Sequence, residues 1–241
     1  MLGDFFRAVR LLTVLPAPPG GEGIGPAALF FPVAGLLLGA IAAGADAALH
    51  GAPVGVRACV AAGILAILSG FGPLRGLAEV GDGAVAGGGR GGALEAMKRP
   101  RRGVTGVLIA ALAIAAEVAA IWHAGPLRSW ALLFAPMLGR WAMVVVAFSA
   151  RRARAGTPGP RFDAGLTFRE FGWASAITGG AVLATIDAIG LLAMLPVAAV
   201  AVVLRLVAHR WLGGINESVF AAAGAVGEVT ALLVLAAIGG R

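Results

Sequence analysis

VTGVLIAALAIAAEVAAIWHA, residues 104–124, carries a single formal charge, Glu117. At about 1.5 Å of helical rise per residue the run is roughly 30 Å long, the thickness of a bilayer's hydrocarbon core. It therefore predicts a membrane-spanning helix. Six further apolar stretches lie near residues 27–49, 54–74, 128–149, 171–190, 191–209 and 219–239. Those at 171–190 and 191–209 are separated only by a weak break near Asp187–Pro196, and a re-entrant pair is the alternative there. The whole chain is 59% hydrophobic and 13% charged, against about 25% charged in a soluble domain. The fold class expected is all-α: a polytopic integral membrane protein of about seven transmembrane helices, with residues 1–241 as one membrane domain. Many of the 38 glycines then serve close helix packing in lipid.

Charge gives the orientation. Residues 75–102 carry Arg75, Arg90, Lys98, Arg99, Arg101 and Arg102, and residues 150–170 carry Arg151, Arg152, Arg154, Arg161 and Arg169. Arg205 and Arg210 add to the turn at 205–218. The intervening loops hold little beyond His50, Arg57, His123 and Arg128. Positive charge on alternate loops places those three, with the N-terminus, on the cytoplasmic side of the cell inner membrane. The net charge of +7 is thereby explained without a nucleic-acid partner. In the first segment, Phe5, Phe6, Val9, Leu12 and Thr13 recur at helical spacing, with Arg7 and Arg10 elsewhere. This predicts a short interfacial helix, and the pattern is not that of a cleavable signal peptide. The single cysteine, Cys59, excludes an intramolecular disulfide and a cysteine metal site.

Chemistry concentrates in GPLRGLAEVGDG, residues 72–83, expected as a polar loop with helical character. Arg75, Glu79 and Asp82 are spaced i, i+4, i+7 and share one face if the segment is helical. A Gly-rich basic segment follows, ending in Met97, Lys98, Arg99, Pro100, Arg101, Arg102, Gly103, Val104, Thr105 and Gly106. Carboxylates beside arginines suit metal and phosphate together. The plainer reading, solvated loop charges at an anionic membrane surface, stays open for both groups. Glu117, Arg140 and Glu228 lie inside predicted spans, where ionisable residues are costly; Glu117 and Arg140, in neighbouring spans, could pair, a packing role and a functional one both being open. Asp46 and Asp187 fall near span ends. No Ser-His-Asp pattern, P-loop or Rossmann fingerprint argues for another enzyme class.

Several segments resemble the cobalamin synthase family. LTVLP at 12–16 resembles its F-L-T-x-L-P, and FPVAGLLLG at 31–39 its F-P-x-x-G-x-x-x-G. Residues 72–83 align with H-x-D-G-L-A-D-T-A-D-G, and Met97 to Gly106 with M-K-D-S-R-I-G-x-x-G. Gly139-Arg140-Trp141 matches a later landmark, and Gly213-Gly214-Ile215 begins the family's G-G-x-T-G-D. The chain departs from the pattern at its carboxylates. Pro73 stands for the histidine, Arg75 and Glu79 for two aspartates, Arg99-Pro100 for Asp-Ser, and Asn216-Glu217-Ser218 for Thr-Gly-Asp. Asp82 is kept, as are Arg101, Gly103 and Gly106.

The resemblance implies an adenosylcobinamide-GDP ribazoletransferase that joins α-ribazole or its 5'-phosphate to adenosylcobinamide-GDP and releases GMP. It implies Mg2+ held by Glu79 and Asp82, which would also be catalytic. Substrate would be bound by Arg75, Lys98, Arg99, Arg101 and Arg102. Membrane lipid, a homo-oligomer and other cobalamin-pathway proteins are the implied partners. The alternative is a non-catalytic membrane paralogue that binds a corrinoid or partner subunits, its metal-ligating aspartates lost.

Overall fold

A computed structural model describes residues 1–20, 23–151, 153 and 166–240, the side chains at 188 and 189 excepted. Among these residues all the regular secondary structure is helical. In order, the helices are α1 (Leu2–Leu12), α2 (Gly25–Ala28), α3 (Phe31–Ala48), α4 (Val54–Leu68), α5 (Gly72–Val85), α6 (Gly89–Lys98), α7 (Val104–His123), α8 (Arg128–Ala147), α9 (Phe168–Leu212) and α10 (Glu217–Gly239). A 3-10 turn, Gly125–Leu127, joins α7 to α8. Much of the expected 150–170 loop, with Arg152, Arg154 and Arg161, lies outside the described residues.

Five helical segments are long and apolar enough to cross a membrane: α3, α7, Gly125–Ala147, Gly190–Leu212 and α10. A sixth is counted if α4 and α5 together make one span; seven were expected. Residues 54–74 are not one straight helix. α4 stops at Leu68, Phe71 takes a left-handed φ of 54°, and α5 leaves at 84° to α4. Pro73 then sits in the first turn of α5, where its missing N–H is no loss. The stretches at 171–190 and 191–209 join in α9, broken by non-helical backbone at Ile186 and Asp187.

Helix α8 is the axis of the bundle. From Ala131 to Ala147 every residue except Leu133 is buried. Packing in lipid depends on close backbone approach, because hydrocarbon solvates apolar side chains as well as protein does. The glycines supply that approach. A Cβ on Gly139 would come 2.6 Å from the Gly224 carbonyl oxygen, and one on Gly227 2.7 Å from Ala142 Cβ. Gly35 and Gly39, from the FPVAGLLLG segment, similarly admit the backbone of α8 at Pro136–Met137 and Leu132–Leu133. Outward, Val107, Leu108 and Leu112 of α7 and Leu195, Val203 and Leu206 of α9 are exposed apolar side chains, as a lipid-facing surface requires.

The core pair differs from the one considered from sequence. Arg140 on α8 bonds Glu228 on α10, with side chains 2% and 6% exposed. Glu117, the partner considered there, is buried nearby on α7 within electrostatic reach of both. Register on α10 decides this: Glu228 follows Gly227, which lets the α8 and α10 backbones close together. Asp46, near the end of α3, is buried and paired with Arg57 of α4 through two hydrogen bonds.

Candidate active site at one end of the bundle

The expected polar loop at 72–83 is helix α5, and Arg75, Glu79 and Asp82 share its face. This helix crosses the first turns of α10 and α7. A Cβ on Gly76 would lie 2.7 Å from the Ser218 carbonyl oxygen. That closeness lets Ser218 Oγ donate to Glu79 Oε2 at 2.6 Å. Asn216 caps α10, its Oδ1 accepting the Val219 N–H at 2.9 Å, while its Nδ2 lies 3.2 Å from Met97 Sδ. Four segments distant in sequence thus meet here: α5, the end of α6, the start of α7 and the start of α10.

Glu79 is the centre of the arrangement. Its Oε1 forms an ion pair with Arg102 Nη1 at 3.2 Å. Arg75 Nε lies 3.9 Å away, an ion pair too long to be a hydrogen bond. Arg102 also donates to the carbonyls of Met97, at 3.3 Å, and of Arg99. These bonds tie its guanidinium to the turn between α6 and α7. Lys98, Arg99 and Arg101 are exposed and make no side-chain hydrogen bond or ion pair among the described residues. Arg75 is exposed too, its side chain at 71%.

Asp82 does something the sequence reading did not foresee. Its Oδ2 accepts the Gly103 N–H at 2.7 Å and its Oδ1 the Gly106 N–H at 2.8 Å. Gly103 is the N-cap of α7, so the carboxylate satisfies amides that the helix leaves open and complements its dipole. The two motif glycines are explained by this contact. A Cβ at Gly106 would come 2.8 Å from Asp82 Cγ, and one at Gly103 2.5 Å from Asp82 Oδ1.

Other contacts escaped sequence reasoning altogether. The Arg90 guanidinium packs over Gly213, which takes a left-handed φ of 71° beyond the end of α9. His209 Nδ1 lies 2.8 Å from the Arg205 carbonyl, and its Nε2 accepts the Arg151 N–H at 3.2 Å. Thr13 of the LTVLP segment donates to the Val9 carbonyl, and the Val14 N–H donates to the Leu68 carbonyl at 2.8 Å. The first segment is thereby tied to the α4–α5 bend. The Thr13–Val9 and His209–Arg205 contacts are local, one helical turn apart, whereas Arg90–Gly213, His209–Arg151 and Val14–Leu68 join residues whose sequence spacing carries no signal.

The implied magnesium site fits these residues poorly. Both oxygens of Glu79 are committed, one to a guanidinium and one to a hydroxyl. Both oxygens of Asp82 receive backbone amides. Among the described residues no group of three or more His, Cys, Asp or Glu side chains gathers. Two of the positions where the resemblance has further aspartates hold cations, Arg75 and Arg99, and a third holds a neutral hydroxyl, Ser218.

Comparison with known proteins accords with the order of these segments. The family model described as Cobalamin-5-phosphate synthase matches residues 4–237. An adenosylcobinamide-GDP ribazoletransferase of Geotalea daltonii is 34% identical over the full length of both chains. One from Roseiflexus sp. is 34% identical over 95% of this chain and 87% of its own. One from Pseudomonas aeruginosa is 31% identical over 98% of each. No solved structure gives a significant match. With the match running nearly end to end and its motif segments converging around Glu79, this chain belongs to the cobalamin-5-phosphate synthase family.

Proposed function

We propose that the protein is an adenosylcobinamide-GDP ribazoletransferase. The observation that carries this reading is the meeting of four aligned segments at one end of the bundle, around a paired carboxylate and a row of exposed cations. A hydroxyl of α-ribazole, or of its 5'-phosphate, attacks the phosphorus bonded to cobinamide. The new O–P bond forms as the bond to the GMP oxygen breaks, and the hydroxyl proton is released. Such transfers depend on positioning and on neutralising charge that spreads over the phosphoryl oxygens. Arg75, Lys98, Arg99 and Arg101 supply exposed cations at the rim, and Arg102 supplies one tied to the backbone. Glu79 acts by holding Arg102. Asp82 acts by holding the N-terminus of α7 and with it the 99–103 turn. The non-catalytic alternative gains no support from the relatives compared above, which carry the transferase name.

The site end of the bundle faces the cytoplasm in this proposal, within the cell inner membrane, with lipid around α7 and α9. Positive loops support the orientation. A cysteine placed at Arg90 should resist an impermeant thiol reagent in intact cells, and ready labelling would reverse it. The activity itself is tested by complementation. Cells lacking their own synthase should regain cobalamin when given this chain, and purified protein should release GMP from adenosylcobinamide-GDP only when ribazole is present. Failure of both assays with well-expressed protein would remove the transferase reading.

A further inference from the structure

Five cations, Arg75, Lys98, Arg99, Arg101 and Arg102, outnumber the carboxylates of the site, Glu79 and Asp82 at its centre and the exposed Glu217 in the first turn of α10. Such a balance disfavours capture of a free divalent cation and favours a polyanion. The carboxylate best placed to ligate a metal, Glu79, already has Arg102 Nη1 at 3.2 Å from Oε1 and the Ser218 hydroxyl at 2.6 Å from Oε2. A magnesium ion needs its oxygens at about 2.0–2.1 Å in near-octahedral array. To enter here it must break one of these bonds and then sit beside a guanidinium of like charge.

Arg102, by contrast, is prepared for an anion. Nη1 is spent on Glu79 and the Met97 carbonyl, and Nη2 donates to the Arg99 carbonyl. Its Nε–H and a second Nη2–H have no protein partner among the described residues, and the side chain is 24% exposed. Those donors form the kind of fork that binds phosphate oxygens in pairs. Holding the guanidinium beforehand lowers the ordering cost of binding.

We infer that Glu79 and Ser218 are positioning residues for Arg102, and that this fixed guanidinium, rather than a divalent cation held on Glu79, meets the charge of the nucleotide diphosphate. The inference rests on the transferase reading and specifies how that site handles charge. It gives Ser218 a purpose in place of an aspartate: a second carboxylate there would compete with Glu79 for Arg102 and invite a metal.

GDP is the probe, titrated against the full-length protein in lipid nanodiscs with excess magnesium or with EDTA. The affinity should differ by less than about threefold between the two conditions. Arg102→Ala should weaken GDP at least tenfold in both, and Arg102→Lys should recover only part of the loss, since an ammonium lacks the fork. Ser218→Ala should weaken GDP several-fold, and Ser218→Thr, which keeps the hydroxyl, should restore it with unchanged melting. Manganese paramagnetic resonance gives a second readout, in which the parent protein should bind no ion without nucleotide and Ser218→Asp should gain a site. If GDP binds only with magnesium, or if the parent binds manganese and Glu79→Gln abolishes it, this inference falls and the transferase reading stands. If GDP binds in neither condition, both fall.

Discussion

The pairs Arg140–Glu228 and Arg102–Glu79 use the same two residue types and differ in almost everything else. The first lies between α8 and α10 with both side chains almost wholly enclosed. The second lies where α5 meets the α6–α7 turn, with 24% of Arg102 and 16% of Glu79 open to the surroundings. Enclosure makes the first pair a packing device, since neither charge is tolerable in hydrocarbon without the other. Openness makes the second pair cheap to hold and leaves donors free for a ligand. In the proposed reading, stability falls to the pair where α10 rests on α8 and ligand recognition to the pair beside the contact of α10 with α5.

The sharpest way to break this contrast is at the core. Arg140→Ala should cost about 3–5 kcal/mol, because Glu228 would remain buried without a partner. Denaturant unfolding in detergent measures it. Arg140→Met together with Glu228→Leu should recover most of the loss, and an unaffected single variant would show that the core pair is not structural. At the open pair the effects should reverse. Arg102→Ala should lower turnover by roughly 100-fold, the usual consequence of losing a preorganised donor to a phosphoryl group, with the unfolding midpoint unchanged.

Asp82 sits between these extremes. If it serves as the cap of α7, Asp82→Ala should destabilise by about 1–2 kcal/mol. Asp82→Asn, which keeps one acceptor, should lose about half as much and retain measurable activity. Complete loss of turnover in a fully stable Asp82→Asn protein would return Asp82 to direct chemistry.

The smallest effect is expected at Glu170, in the first turn of α9. Burial pushes its carboxyl up, but hydrogen bonds from the Thr167 hydroxyl, from Arg169 and from backbone amides outweigh that and hold it below its ordinary 4.5. A carboxyl lowered on folding stabilises fully above its unfolded value, and that contribution is lost as pH falls through the folded one. Acidification from neutrality to below pH 4.5 should therefore erode the parent's stability more than that of Glu170→Gln, as paired thermal melts would show.

Much of this was readable from residue order, for a physical reason. Hydrocarbon demands long apolar helices, so α3, α7, α8 and α10 appear in the sequence nearly at their true bounds. Positions 75, 79 and 82 fall on one helical face because helix periodicity is local. What could not be read was pairing across the chain. Glu228 stands 88 residues from Arg140 and Ser218 stands 139 from Glu79, and no spacing signals such partners. The capping role of Asp82 was hidden for a different reason. An aspartate in a motif suggests chemistry, and only the position of α7 reveals it as a cap. The bend after Leu68 was hidden because Gly70-Phe71-Gly72 is apolar enough to continue the hydropathy of α4.

That bend has a consequence for the surrounding bilayer. Helix α4 has 15 residues, about 22 Å of rise, whereas an average hydrocarbon core is about 30 Å thick. Were α4 to cross alone, the shortfall would be met by thinning the lipid annulus beside it or by drawing the start of α5 below the headgroups, each at a fraction of a kcal/mol per Å. The depth of α5, and with it the aqueous access of Arg75, Glu79 and Arg102, would then follow acyl-chain length, and turnover compared in bilayers of short and long acyl chains would report it.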